Sequence, residues 1–147
     1  MSNDLTSTTA RLLAAYQAAV LAKDAAALMR LYDPAVCVFD TWGVWSYDGA
    51  AAWQRAVEAW FLSLGSEKVK VSFAEVRSWG TPEAAMLCAT VTYATVSASG
   101  EPLRSMQNRL SWALKTSGHV LRIVHEHTSA PVGFEDMKAI LQRTAPG

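Results

Sequence analysis

Cysteine is scarce in this sequence, and the two present, Cys37 and Cys88, lie far apart in strand-like surroundings. They form no CxxC pair and show no metal-type spacing, so they read as reduced core thiols rather than a disulfide or zinc framework. An excess of charge of either sign is also missing: 13 Lys and Arg residues balance 13 Asp and Glu. Without a basic cluster there is no electrostatic footprint for nucleic acid or for an anionic membrane surface. No apolar run is long enough to span a bilayer. The opening MSNDLTSTT is polar where a signal peptide is basic and then greasy, so a cytoplasmic location is expected. GxGxxG, P-loop and GxSxG motifs are absent, which leaves dinucleotide, nucleotide and serine-nucleophile chemistry without support. Repeats, linkers and low-complexity segments are lacking as well.

What the chain does have is apolar content, 51% of its 147 residues, and tryptophan, six of them. That length and composition suit one globular domain, residues 1–147 with a core of about 6–141, able to bury a real interior. Leu5, Thr9, Leu12, Leu13, Tyr16 and Val20 recur at helical spacing and predict an amphipathic helix over about 6–22. Asp24 suits the N-cap of a short second helix carrying Leu28, Leu31 and Tyr32, ended by Asp33-Pro34. Val36–Asp40 reads as a strand, and Trp42–Tyr47 as a turn with a second short strand. A third helix, capped by Asp48 and closed by Gly65, carries the stripe Trp53, Val57, Trp60, Phe61 and Leu64.

From Lys68 the period changes to two. Strands are predicted over about 68–79 and 85–98, followed by a hairpin of Leu103–Lys115 with His119–Ser129 around Thr116-Ser117-Gly118. Strict alternation along the second arm puts Leu121, Ile123, His125 and His127 on one side, with Arg122, Glu126 and Thr128 on the other. Phe134–Arg143 has the spacing of a terminal helix. The resulting order, ααββαββββα, implies an α+β fold with helices on one face of a curved, mostly antiparallel sheet.

That order, together with Tyr-Asp-Pro-Ala-Val-Cys-Val-Phe-Asp after two helices and Val-His-Glu-His-Thr-Ser-Ala-Pro near the end, resembles the nuclear transport factor 2-like superfamily. The SnoaL-like, ketosteroid isomerase-like branch is the most similar. The ending, with Arg109 sixteen residues before His125, also resembles the association domain of calcium/calmodulin-dependent kinase II. The resemblance implies a cone whose open end is a ligand pocket and whose outer sheet face builds a homodimer. It also implies either a cofactor-free isomerase, cyclase or hydratase acting by proton transfer, or a non-catalytic ligand-binding or association-type module.

In ketosteroid isomerases a tyrosine of the first helix and an aspartate at the end of the first strand do the work, and Tyr16 and Asp40 match their spacing. A carboxylate in an apolar pocket moves a proton next to a carbonyl while donors hold the enolate charge. The isomerase, a worked case of carboxyl tuning, adds a second, protonated aspartate. Here that neighbourhood reads Gln107-Asn108-Arg109, with no carboxyl. Tyr16 also reads as a core tyrosine and Asp40 as a turn cap. By resemblance to the association domain Arg109 faces the pocket, where it would clamp an acidic ligand; it reads equally as an outer-face arginine, since a bulge could reverse it.

His125 and His127, on one face, suit core, interface or pocket acid–base roles; too few further ligands accompany them and Asp40 for a metal site. Glu126 reads as an exposed charge or a partner for Arg109. Trp42, Trp45, Tyr47, Trp60 and Tyr93 fall where the pocket mouth would be and suit a flat apolar ligand. The expected partner is thus a small apolar or acidic molecule, with no cofactor.

Overall fold

The structure, a computed structural model, describes residues 2–143, so residues 1 and 144–147 of the expected domain lie outside the described residues. Helix α1 spans Ser2–Leu21 and α2 Ala25–Met29; β1 spans Tyr32–Phe39, β2 Tyr47–Asp48, and α3 Ala50–Ser63. Four long strands follow: β3 Lys68–Gly80, β4 Ala84–Val96, β5 Pro102–Ser117 and β6 Val120–Ser129. They form one six-stranded sheet in the order β2-β1-β6-β5-β4-β3. Only the β1–β6 pair is parallel; the others are antiparallel. The expected α+β architecture is what the chain adopts.

Local chemistry explains most boundaries. Asp24 caps α2 by accepting from the Ala27 N–H at 3.0 Å, as its position predicts. Gly49, not Asp48, precedes α3 and makes no side-chain cap. Tyr32 belongs to β1 rather than to α2, and Asp33-Pro34 lies within that strand, Asp33 accepting from the Ala35 N–H. The β5–β6 reversal is made by Gly118 and His119, both at positive φ, which matches the twist of a two-residue hairpin.

The helices cover one sheet face, with α1 against β3 and α3 against β1 and β2. Between them lie Val20, Leu28, Val57, Leu87, Leu110, Trp112 and Ile123, all nearly or fully buried. Burying such a side chain contributes roughly 1.5–3 kcal/mol, so this layer is the principal source of stability.

Two larger expectations fail. The segment Phe134–Arg143 is no helix: Phe134 is 97% exposed, and the backbone turns through Gly133, where N–H to Lys138 oxygen is 2.8 Å. The reason is an open sheet edge. β5 begins at Pro102, but its pairing with β6 starts only at Arg109–Ser129, leaving its first residues without a neighbour on that side. Residues 141–143 fill that edge: the Gln107 N–H donates to Leu141 oxygen, and Gln107 Oε1 accepts from the Arg143 N–H, both at 2.7 Å. Arg143 also pairs with Glu75 of β3.

The second failure is the alternation along β6. Leu114 pairs with Ile123 but Ala113 with His125, so Val124 is an extra residue, a β-bulge. Leu121 and Ile123 face the helices before it; Glu126 and Thr128 do so after it.

Candidate functional site

The bulge brings Glu126 directly opposite Trp112 on the inner face. Glu126 is only 2% exposed, and its Oε1 accepts from the Tyr32 hydroxyl at 2.6 Å and from Trp112 Nε1 at 2.8 Å. Both bonds favour the carboxylate, yet burial outweighs them and Asp40's nearby charge adds to it, pushing the pKa up to about 7. The expectation of an exposed Glu126, or of one paired with Arg109, is therefore corrected.

Asp40 sits just past β1. Its Oδ1 accepts from the Thr128 hydroxyl at 3.0 Å, and that oxygen in turn accepts from the Thr41 N–H at 2.9 Å and the Thr41 hydroxyl at 3.0 Å. Burial raises its pKa, partly offset by the Thr128 bond and by the Trp42 and Thr41 backbone N–H groups. Tyr16, on α1, is 3% exposed and held by the rings of Phe73 and Trp112 at 5.9 and 5.7 Å. Its hydroxyl lies 2.9 Å from that of Tyr93 on β4. Burial pushes both phenols above their ordinary range. Two hydroxyl hydrogens share one bond between them, and among the described residues no acceptor takes the second.

Asp40, Glu126, Tyr16 and Tyr93 all line one cavity of about 620 Å³. Its wall also includes Trp42, Tyr47, Trp53, Trp60, Met106 and Leu141. The buried Asn108 lines it too, with an Oδ1 that has no donor. Such a hollow, mostly apolar with a few convergent polar groups, has the size and character of a small-molecule site.

Of the residues singled out by sequence, Tyr16, Asp40, Trp42, Tyr47, Trp60 and Tyr93 come together here. Trp45 does not; it is 95% exposed beyond the cavity wall. Arg109 is on the outer sheet face, where its Nε donates to Ser129 Oγ at 3.1 Å, because its neighbours Asn108 and Leu110 take the inner side. His125 and His127 are also outside, packed on Phe39 at ring distances of 4.9 and 5.4 Å. His125 Nδ1 contacts Cys37 oxygen at 2.8 Å. These outer-face residues therefore do not reach the cavity. Among the described residues no group of three or more His, Cys, Asp and Glu side chains is placed to hold a metal ion.

Sequence reasoning missed Glu126, Tyr32, Trp112, Thr128 and Asn108. Glu126 stands between two histidines in a mixed strand, so no local pattern marks it as inward, and the bulge that turns it has no sequence marker here.

Residues 10–133 match the family model of the SnoaL-like domain. The chain belongs to that family. No curated protein matches the sequence. Solved structures share the domain's fold. An NTF2-like protein of unknown function from Pseudomonas putida is 19% identical, with TM-score 0.85 and 99% of each chain covered. Aln2 from a Streptomyces species is 12% identical, with TM-score 0.76, over 86% of this chain and 90% of that one. A putative calcium/calmodulin-dependent protein kinase II association domain from Xanthomonas campestris is 16% identical, with TM-score 0.71, over 84% and 85%. This SnoaL-like domain thus has the nuclear transport factor 2-like fold, and no helix among its described residues is long and apolar enough to cross a membrane.

Proposed function

We propose that the protein binds a small, mainly apolar molecule in the cavity and moves a proton on it without a cofactor, Asp40 acting as the base. The observation that carries this reading is the meeting of Asp40, its ionisation disfavoured by burial, with a buried phenol pair in one aromatic-walled hollow. A carboxylate there takes a proton from carbon beside a carbonyl; the C–H electron pair moves into the enolate, whose oxygen accepts from the phenol pair. Return of the proton from Asp40 to a different carbon completes an isomerisation, and the same groups suit cyclisation or hydration. Glu126 serves as the second polar anchor, fixing one end of the ligand.

The likeness to an association domain supports a second reading, in which the cavity binds without catalysis and the fold serves assembly. Two measurements separate them. Quenching of tryptophan fluorescence by 2-tetralone reads binding, because Trp42, Trp53 and Trp60 line the cavity. Exchange of its α-protons in deuterated water reads proton transfer and is expected to vanish in Asp40→Asn. Binding with no exchange above the buffer rate would favour the non-catalytic module.

A further inference from the structure

Inside its rim the cavity's charges are of one sign. Asp40 and Glu126 both line it, and the one cation in its wall, Arg104, is exposed at the rim and already held by Glu67 at 2.7 Å. Two donors in the wall lack an acceptor, Trp53 Nε1 and one hydrogen of the Tyr16–Tyr93 pair; the remaining free lone pairs belong to the two carboxyls and Asn108. Glu126 spends Oε1 on both of its donors, Asp40 is met by the Thr128 hydroxyl and by the Trp42 and Thr41 backbone N–H groups, and the 6%-exposed Asn108 has an Oδ1 with no donor. Around them stand the rings of Tyr16, Trp42, Tyr47, Trp53, Trp60 and Tyr93.

We propose that the ligand of this cavity is a compact apolar amine, its ammonium held by Asp40, Glu126 and Asn108 and its body packed on the aromatic wall. This rests on the reading of the cavity as a ligand site, but not on which group moves a proton. An alkylammonium brings three donors to the two carboxyls and to the unpaired Asn108 Oδ1. Aromatic faces attract a cation, most strongly when water is excluded. A buried carboxylate without a cationic partner is costly, and a bound ammonium supplies that partner. A ligand carboxylate would meet two like charges and no free cation.

The proton balance is simple. At neutral pH an arriving ammonium displaces the proton of Glu126 to water, or a neutral amine takes that proton directly; either way the complex holds one N–H⁺ against the Glu126 carboxylate. The other ionisable groups facing Glu126 are Tyr32 on β1, Tyr16 on α1, Tyr93 on β4 and Asp40. The three phenols are all shifted upward and stay neutral below pH 9; Glu126, lifted to about 7, titrates between pH 5.5 and 8.5, and Asp40 is raised as well.

The test uses the whole chain and three ligands of one shape: 2-aminotetralin, 2-tetralol and tetralin-2-carboxylate, titrated by tryptophan fluorescence and calorimetry. A primary amine keeps its proton to about pH 10, as lysine does, so the probe itself does not titrate in the range. At pH 8.5 the amine is expected to bind at least tenfold more tightly than the alcohol, and the carboxylate more weakly than either. The amine's advantage should shrink several-fold at pH 5.5 in the native protein and stay flat with pH in Glu126→Gln. Should that variant not fold, the native pH profile and a reduced advantage in Asp40→Asn carry the test. Equal binding of amine and alcohol at pH 8.5, or tightest binding of the carboxylate, overturns the assignment while leaving the cavity a ligand site. If none of the three binds and 2-tetralone does not either, the ligand-site reading itself is overturned.

Discussion

The two faces of the β5–β6 hairpin carry ionisable residues at interleaved positions, yet their circumstances differ throughout. Inside, Glu126 and Thr128 join Asn108 and Trp112 beneath the helices, where Glu126 is 2% exposed and its ionisation is opposed by burial. Outside, Arg109, His125 and His127 meet Ser129, Cys37 and Phe39 with water close by. Residue type does not separate the sets, since each holds charged or titratable groups. On β6 what separates them is one inserted residue, Val124, that moves Glu126 to the side the alternation would give to His125. Chemistry in this fold therefore depends on strand register as much as on composition.

The sharpest way to probe that contrast is to truncate the inner carboxyl. Glu126→Ala strands the Tyr32 hydroxyl and the Trp112 N–H, both on almost fully buried residues. Each unsatisfied buried donor costs about 1–3 kcal/mol, so urea unfolding should register a loss of roughly 2–6 kcal/mol. A change below about 1 kcal/mol would mean that those two bonds do not hold the interior together. Next in size is Asp40→Asn, which keeps shape but removes the base. Its α-proton exchange with 2-tetralone should fall by at least about a hundredfold, the usual scale of general-base catalysis, with binding nearly unchanged. Exchange at the native rate would remove Asp40 from the mechanism.

Burial of Glu126 also has a signature in pH. An unfolded chain releases this proton near 4.5, whereas the folded protein keeps it to about 7. Between those values the native state binds the extra proton, so stability declines as pH rises through the window and levels off above it. The shift corresponds to roughly 3 kcal/mol at 1.4 kcal/mol per unit. Asp40, also raised, acts in the same direction from its own lower starting value. Denaturation midpoints from pH 4 to 8.5 should show the decline, and Glu126→Gln should lose most of it. A native profile that climbs from pH 4.5 to 7 would contradict this burial.

Much of this contrast was legible in the chain. Arg109 is an exception: the chain leaves it equally a pocket clamp or an outer-face arginine, and the structure has it outside. Tyr16 and Asp40, paired by their spacing, line one hollow. Helix order and strand periods gave the architecture, because amphipathic periodicity directly reflects which face is buried. Two features were not legible. Bulge formation at Val124 reflects how β6 fits both β5 and β1, a long-range matter that local pattern does not encode. The helical spacing in Phe134–Arg143 was overridden because an unfilled edge of β5 offers backbone partners to residues 141–143.

The smallest effects belong to the outer face, and their smallness is informative. Arg109→Leu removes a side chain whose described bond is an exposed contact with Ser129. Surface changes of this kind stay within about 0.5 kcal/mol, and ligand affinity in the cavity should be unaltered because no atom of Arg109 lines it. His127→Ala should behave similarly, losing little beyond edge-on ring contacts with Phe39 and His125. Titrating 2-aminotetralin and tetralin-2-carboxylate against both variants gives the decisive reading. A tenfold loss for the carboxylate in Arg109→Leu would mean that an acid binds on the outer face after all, in the second hollow that Arg109 lines with Arg77 and Arg143. Unchanged affinities for both probes would leave recognition to the inner face, where the acceptors and aromatic rings are.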